Sequence, residues 1–298
     1  MQMTLKSWIL LILLSVLWGG AFFFVAVAVA KLPPLTVVLS RVAIAALCLA
    51  LVQQASGKRF RPWPGLLGSF LVMGLLNNVV PFSLLFWAQT SIPSGLASIL
   101  NATTPVFTMI VAHVALKDEP LSWNKAAGIV FGFLGVAVLL GGNLLDGADI
   151  GTLGIFACLG AAFSYGLAGT YGRRFAKLGV PPMIVAAGQL TASTLILAPI
   201  VLSIDRPWSL PFPGYHVILA VVLLASLSTA LAYIVFFQVL ATSGAVNVAL
   251  VTLLIPVSAI FLGWVFLGER LEPHHFVGMT LIALGLIAID GRLIPVKG

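Results

Sequence analysis

Ten apolar stretches divide this chain almost end to end: residues 8–30, 34–54, 66–88, 93–116, 122–142, 151–172, 181–203, 215–238, 245–267 and 274–291. Each is close to the roughly 20 residues that a helix needs to cross the hydrocarbon of a bilayer. That pattern closes off most folds. Lipid offers no partner to a strand edge or an irregular backbone, so each stretch must be a helix that satisfies its own N–H and C=O groups. Composition agrees, since only 8% of the 298 residues are charged, against roughly a quarter in soluble domains. The expected fold class is an all-α polytopic membrane protein with ten transmembrane helices. Stop chemistry marks the breaks, in Lys31-Leu32-Pro33-Pro34, Ser56-Gly57-Lys58-Arg59, Gly141-Gly142-Asn143 and Asp205-Arg206-Pro207. A re-entrant pair within 74–105 is the alternative this pattern leaves open.

The stretches also repeat. The passage from Thr104 to Gly128 and the passage from Ile255 to Gly278 share a proline early in an apolar helix, a break carrying Glu-x-Leu, and a glycine soon after. Pro105 matches Pro256 at an offset of 151, and Glu119, Leu121, Gly128, Leu134 and Gly135 match Glu269, Leu271, Gly278, Leu284 and Gly285 at 150. Gly19 and Ala21 match Gly166 and Ala168 at 147, and Pro33-Pro34 matches Pro181-Pro182 at 148. Because the first stretch belongs to the repeat and exceeds the roughly 7–15 residues of a signal-peptide core, it reads as a span and not as a cleaved leader. The expected halves are residues 1–145 and 146–298, five spans each. An odd number of spans inverts the second half relative to the first.

Loop charge sets the orientation. With the N-terminus inside, Lys6, Lys58, Arg59, Arg61, Lys117, Lys125, Arg173, Arg174, Lys177, Arg292 and Lys297 are cytoplasmic, and only Lys31, Arg206 and Arg270 fall outside. Both termini are therefore expected in the cytoplasm. The net charge of +7 is then an anchor against anionic lipid, and no nucleic-acid partner is called for. Cys48 and Cys158 sit in apolar runs with no ligand spacing, so neither a metal nor a disulfide is expected. No cofactor motif is present.

With Trp18-Gly19, Arg41, Pro105 through Glu119 to Gly128, and Pro256 through Gly268-Glu269-Arg270 to Gly278, the chain resembles the drug/metabolite transporter superfamily in its ten-helix EamA-type branch. The resemblance covers essentially the full chain. It implies a small-metabolite exporter of a bacterial-type inner (plasma) membrane, most like exporters of amino acids, aromatic ones included. One departure matters. Small multidrug relatives in the superfamily rely on a buried glutamate in their first helix, and span 1 has no acid, so proton-coupled cation export in their manner is not expected.

Few residues can carry chemistry at depth. All eight acidic residues lie in or beside loops, and Glu119 and Glu269 read as helix-end structure ahead of the next helix start. Arg41 is the one charge well inside a span, at a cost of about 2.5–3.5 kcal/mol unless partnered. It is either a latch to carbonyls of a neighbouring helix, or snorkelling outward, or a ligand for a substrate carboxylate; its repeat equivalent is Gln189. His113 near the inner interface reads as wetted or hydrogen-bonded, and His274-His275 lack a third metal ligand. Gly128, Gly132, Gly135, Gly278 and Gly285 read as packing seams. Trp8, Trp63, Trp87, Trp123, Trp208 and Tyr215 read as interface anchors.

The expected site lies at mid-membrane between the halves. Span 3 contributes Asn77 and Asn78, with Ser228 and Thr229 as partners in span 8. Span 4 contributes Asn101, with Thr252 as its partner in span 9. Asn101 stands four residues before Pro105, whose missing N–H frees the Asn101 carbonyl. That carbonyl and the amide suit an ammonium group, and Asn77 or Asn78 can donate to a carboxylate. Trp18, Phe82, Tyr165 and Tyr233 form an aromatic wall, and Arg41 completes the set. The function so read is secondary transport of small amphipathic metabolites, amino acids first, without an obligatory proton because no carboxylate lies at depth. A passive channel and a nucleotide-sugar exchanger are the alternatives; the latter would gather several cations, which Arg41 alone does not supply. An intramembrane enzyme would need a catalytic pair or metal cluster at depth, and none is present. The substrate and the lipid bilayer are the expected partners; oligomeric state stays open, with a monomer compatible.

Overall fold

The computed structural model describes residues 4–56, 65–116, 123–140 and 150–290. Within them the chain forms ten long helices, a single 3-10 turn at Pro207–Ser209 and no strand. They are α1 (Leu5–Val29), α2 (Pro34–Ala55), α3 (Leu67–Ala88), α4 (Ser94–Ala115), α5 (Trp123–Leu140), α6 (Ile150–Lys177), α7 (Pro182–Ile204), α8 (Tyr215–Gly244), α9 (Val251–Leu267) and α10 (Pro273–Asp290). Seven are long and apolar enough to cross a membrane, and the apolar parts of α5, α9 and α10 are shorter. The protein is a multi-pass membrane protein. No re-entrant pair occurs in 74–105, where α3 and α4 are each 22 residues long. Helix α6 runs past the expected end at 172 to Lys177, and α8 past 238 to Gly244.

Local chemistry explains the ends. Pro34 and Pro182 occupy the first helical turn of α2 and α7, where a missing N–H costs nothing, and each follows a proline in extended backbone. Gly268 closes α9 at φ +67°, a conformation only glycine takes without strain. Two helices leave the α-helical path at matching places. Helix α3 makes a π-helical turn over Leu75–Val79, and α8 does so over Ser226–Leu231, 151 residues later. Pro81 accounts for the first, since it has no N–H to return to Asn77. Its counterpart Ala232 has one, so the second needs another cause: Thr229 Oγ1 donates to the Leu224 carbonyl at 2.9 Å, five residues back. Helix α4 is interrupted at Ala102 and Thr103, just ahead of Pro105.

The helices pack as a pseudo-symmetric bundle. Numbering α6–α10 as mates of α1–α5, α1 packs on α9 and α4 on α6; α1 packs on α8 and α3 on α6; α2 packs on α8 and α3 on α7. Mates α2 and α7, α4 and α9, and α5 and α10 meet each other. Glycines set the closest crossings in equivalent pairs. A Cβ on Gly135 would lie 2.7 Å from the Gly278 carbonyl oxygen, and one on Gly285 2.7 Å from that of Gly128. A Cβ on Gly19 would collide with Ser258, and one on the matching Gly166 would lie 2.9 Å from the Phe107 carbonyl carbon. These are the seams read from the sequence, together with one at Gly19 and Gly166.

One loop expectation changes. Glu269 does cap a helix start, but not that of α10. Its carboxylate accepts from Ser94 N at 2.8 Å, Ser94 Oγ at 2.8 Å and Gly95 N at 3.2 Å, closing the first turn of α4 in the other half. Gly263 makes room for it, since a Cβ there would lie 2.5 Å from Glu269 Oε2. His113 is exposed near the end of α4. His274 Nδ1 lies 3.3 Å from Glu272 Oε2. Glu119, Lys117, Trp63, the Lys58–Arg61 cluster and the C-terminal cations lie outside the described residues.

Candidate functional site

Between the halves lies a cavity of about 1080 Å³, walled by α1, α2, α3, α4, α6, α7, α8 and α9. It is open at one end and shut at the other. Exposed Arg173, Ala176 and Pro182 rim the mouth, at the turn from α6 to α7. The far end, toward the α3–α4 turn, is closed by Val25 and Phe86, each 1% exposed, with Leu85 and Gln89.

Ten of the eleven expected site residues line this cavity: Trp18, Arg41, Asn77, Phe82, Asn101, Tyr165, Ser228, Thr229, Tyr233 and Thr252. Asn78 does not. It is fully buried, and its Nδ2 donates to Ser193 Oγ of α7 at 3.0 Å, because the π-turn that presents Asn77 to the cavity turns the next side chain into the α3–α7 seam. The Asn101 carbonyl is also unavailable. Thr104 Oγ1 donates to it at 2.7 Å and takes the place of the N–H that Pro105 lacks. The Asn101 side-chain oxygen is what remains, buried and with no hydrogen-bond partner among the described residues.

Arg41 is 8% exposed. Its Nε donates to Thr229 Oγ1 at 2.9 Å, so the latch is a hydroxyl in the α8 π-turn and not a carbonyl, and the side chain does not snorkel. Thr229 can serve because its own proton goes to Leu224. The guanidinium carbon sits 3.9 Å from the Phe82 ring centroid, a cation–π contact that offsets about 0.5–2 kcal/mol of the cost of burial. Among the described residues no carboxylate pairs with it. Phe82 in turn meets Tyr165 edge-on, with centroids 6.5 Å apart, and Trp18 lies 5.5 Å from Phe236.

Sequence reasoning missed Gln189. The repeat partner of Arg41, it lies on α7 beside Asn77 of α3 and ties that asparagine to the aromatic wall. Asn77 Nδ2 donates to Gln189 Oε1 at 3.2 Å, and Gln189 Nε2 donates to Tyr233 Oη at 3.1 Å. The signal available was its own depth, seven residues into α7, as Arg41 stands seven into α2. Phe22, Phe86, Phe236, Phe237, Met73 and Met109 were also missed, since an apolar wall residue has no mark in an apolar helix. The cavity thus offers one positive charge fixed at depth, a second arginine at its mouth, several amides and hydroxyls, and a broad aromatic surface.

Comparison with known proteins is consistent over the full length. A profile of the EamA-like transporter family matches twice, at residues 6–141 and 152–289. The "Uncharacterized transporter YoaV" of Bacillus subtilis is 25% identical over 285 residues, covering 93% of this chain and 94% of that one. The "Uncharacterized inner membrane transporter YedA" of Escherichia coli K12 is 27% identical, covering 95% and 91%. A "Probable amino-acid metabolite efflux pump" of the same strain is 28% identical, covering 95% and 94%. One crystal structure, 21% identical, superposes with a TM-score of 0.67 over 98% of this chain and 99% of its own, a likeness of fold.

Proposed function

The chain belongs to the EamA-like transporter family, and on that premise we propose that it is a secondary carrier exporting small amphipathic metabolites, with neutral and aromatic amino acids foremost. The observation that carries this reading is the cavity itself: about 1080 Å³, large enough for a ligand of drug size, polar at a few points and aromatic elsewhere. The name of the Escherichia coli efflux pump supports the same substrate class. Asn101 Oδ1 supplies an acceptor for an ammonium group, and Trp18, Phe82 and Phe236 receive the side chain. A cavity shut at one end suits a carrier that exposes its site alternately, whereas a channel is open at both. Only Arg41 stands deep in the cavity, with Arg173 exposed at its mouth, which argues against a nucleotide sugar, whose diphosphate would draw several cations to one place.

With the halves at 1–145 and 146–298 in opposite orientation, and the termini in the cytoplasm of an inner membrane, the mouth at the α6–α7 turn faces the cytoplasm, where an exporter loads. No acid lies at the cavity among the described residues, so transport runs down the substrate's own gradient or by exchange, without an obligatory proton. The test is purified protein in liposomes, with initial flux of labelled phenylalanine, leucine and alanine measured with and without a pH gradient. Saturable, counterflow-stimulated flux is expected, and Asn101→Leu should raise the apparent KM about tenfold. Flux linear in concentration with no counterflow refutes the carrier, and uphill accumulation driven by the pH gradient refutes the energetics.

A further inference from the structure

We infer that Arg41, Tyr233 and Tyr165 form an oxyanion subsite in the cavity that recognises a carboxylate, with Tyr233 bound to act as a proton donor. The inference rests on the cavity being the substrate site and names the group by which a substrate is held. It moves both tyrosines from the apolar wall to the polar chemistry.

Hydrogen-bond arithmetic at Tyr233 carries it. A phenol has one proton to donate and two lone pairs to accept with. Tyr233 Oη accepts from Asn77 Nδ2 at 3.4 Å and from Gln189 Nε2 at 3.1 Å, and Asn77 Nδ2 also donates to Gln189 Oε1 at 3.2 Å. The triangle is satisfied in only this sense. With both amides turned round, two carbonyl oxygens would compete for one phenolic proton and one of the three bonds would be lost. In the sense observed, both lone pairs of Tyr233 are occupied. Its proton has no acceptor among the described residues, and the cavity that Tyr233 lines is where an acceptor can stand.

Two further donors meet it there. Arg41 spends its Nε on Thr229 and one face on Phe82, which fixes the plane of the guanidinium and leaves its Nη groups with no partner among the described residues. Tyr165 lines the cavity from α6, edge-on to the same Phe82, and its hydroxyl likewise has no partner among the described residues. The guanidinium is near enough to both phenols to interact with them electrostatically. The cluster thus presents a fixed positive charge and two hydroxyl protons, while the lone pairs of Tyr233 and the Gln189 oxygen are already used within it. Such a site repels a cation and leaves a neutral amide half-satisfied. A carboxylate fits, because its two oxygens can take the guanidinium and the phenols together.

The test uses purified protein in detergent and equilibrium binding by calorimetry of three probes: L-phenylalanine, 3-phenylpropionate, which keeps the carboxylate and lacks the amine, and L-phenylalaninamide, which keeps the amine and lacks the carboxylate. Expected are measurable binding of 3-phenylpropionate, and binding of phenylalaninamide at least about tenfold weaker than that of phenylalanine. Tyr233→Phe should weaken 3-phenylpropionate about tenfold, which is about 1.4 kcal/mol, and leave phenylalaninamide within twofold. Tyr165→Phe should act in the same sense and serves where Tyr233→Phe does not fold. Absence of 3-phenylpropionate binding, or equal losses for both probes, overturns the subsite. If no labelled amino acid crosses liposomes yet 3-phenylpropionate binds in a Tyr233-dependent way, the subsite stands and the amino-acid reading falls. If phenylalanine is carried and Tyr233→Phe changes neither probe, the carrier stands and the subsite falls.

Discussion

Glu269 should act as a fastener of the closed end. Its carboxylate belongs to the α9–α10 connection, and the groups it holds begin α4 in the opposite half, with three bonds of 2.8, 2.8 and 3.2 Å. Ser94 is fully buried, so water cannot readily take over its N–H and hydroxyl. Stranding a buried donor costs about 1–3 kcal/mol. Glu269→Ala strands three, and after partial relaxation a loss of about 3 kcal/mol is reasonable. Glu269→Gln keeps the volume and one acceptor but turns an NH₂ group against donors, for about 2 kcal/mol. In the proposed alternating carrier, opening the far end would separate α9 from α4, so this energy would be present only while that end is shut. The variant therefore shifts the population toward the other state, by about tenfold or more at 1.4 kcal/mol per decade. The assay is maleimide labelling of Gln89→Cys, 7% exposed at the closed end of the cavity, in a background with Cys48 and Cys158 replaced. Labelling from the α3–α4 side should be slow in the parent and about tenfold faster with Glu269→Gln. A lower unfolding temperature with an unchanged labelling rate would refute the reasoning, because the cap would then hold α4 together in both states.

At the same end Thr36 Oγ1 donates to Asp205 Oδ2 at 2.7 Å between α2 and α7, so Thr36→Val should accelerate the same labelling by a smaller factor of about three to five, matching a bond worth about 1 kcal/mol. Gly135→Ala and Gly285→Ala each place a Cβ 2.7 Å from a carbonyl oxygen and should cost about 1–3 kcal/mol by overpacking, while Gly68→Ala, with nothing within 4 Å, should be neutral or stabilising; thermal unfolding in detergent separates them. For topology, a cysteine at the exposed Ser209 should be labelled from outside intact cells and one at the exposed Ser56 should not, and the reverse pattern would overturn the proposed orientation.

The scaffold was more legible in the sequence than the site. Span ends fell within a few residues wherever Pro33-Pro34, Pro181-Pro182 or Gly268 marked them, because those residues act through their own backbone. Ends set by packing were less readable, and α6 and α8 both ran longer than expected. Depth in an apolar run was enough to gather Arg41, Asn77, Asn101, Ser228 and Thr229, since a polar group in lipid must find a partner or a cavity. Direction was not legible. A π-turn of one extra residue decides that Asn77 faces the cavity and Asn78 faces Ser193, and the period of an ideal helix carries no notice of it. Nor could spacing show that Glu269 caps a helix some 175 residues away in sequence, or that Thr104 takes the carbonyl that Pro105 frees.

On the proposed function, what the two halves share and what they do not divide along functional lines. Several shared positions are steric: Gly19 with Gly166, Gly128 with Gly278, Gly135 with Gly285, and the π-turns at Leu75–Val79 and Ser226–Leu231. A carrier with two opposed states needs this sharing, since the contacts that close one end in one half must have equivalents that close the other end in the second half. The chemistry breaks the symmetry. Arg41 stands where Gln189 stands in the other half, Asn77 where Ser228 stands, and Asn101 where Thr252 stands. Phe82 supports the guanidinium in one half, while Tyr233, its counterpart at the same offset of 151, joins an amide triangle in the other. A ligand with one carboxylate and one ammonium has no two-fold axis, so a symmetric site could satisfy only half of it. Symmetry in the glycines and asymmetry at the cavity are therefore what the proposed amino-acid carrier requires, and duplication followed by divergence of a few cavity positions would meet both.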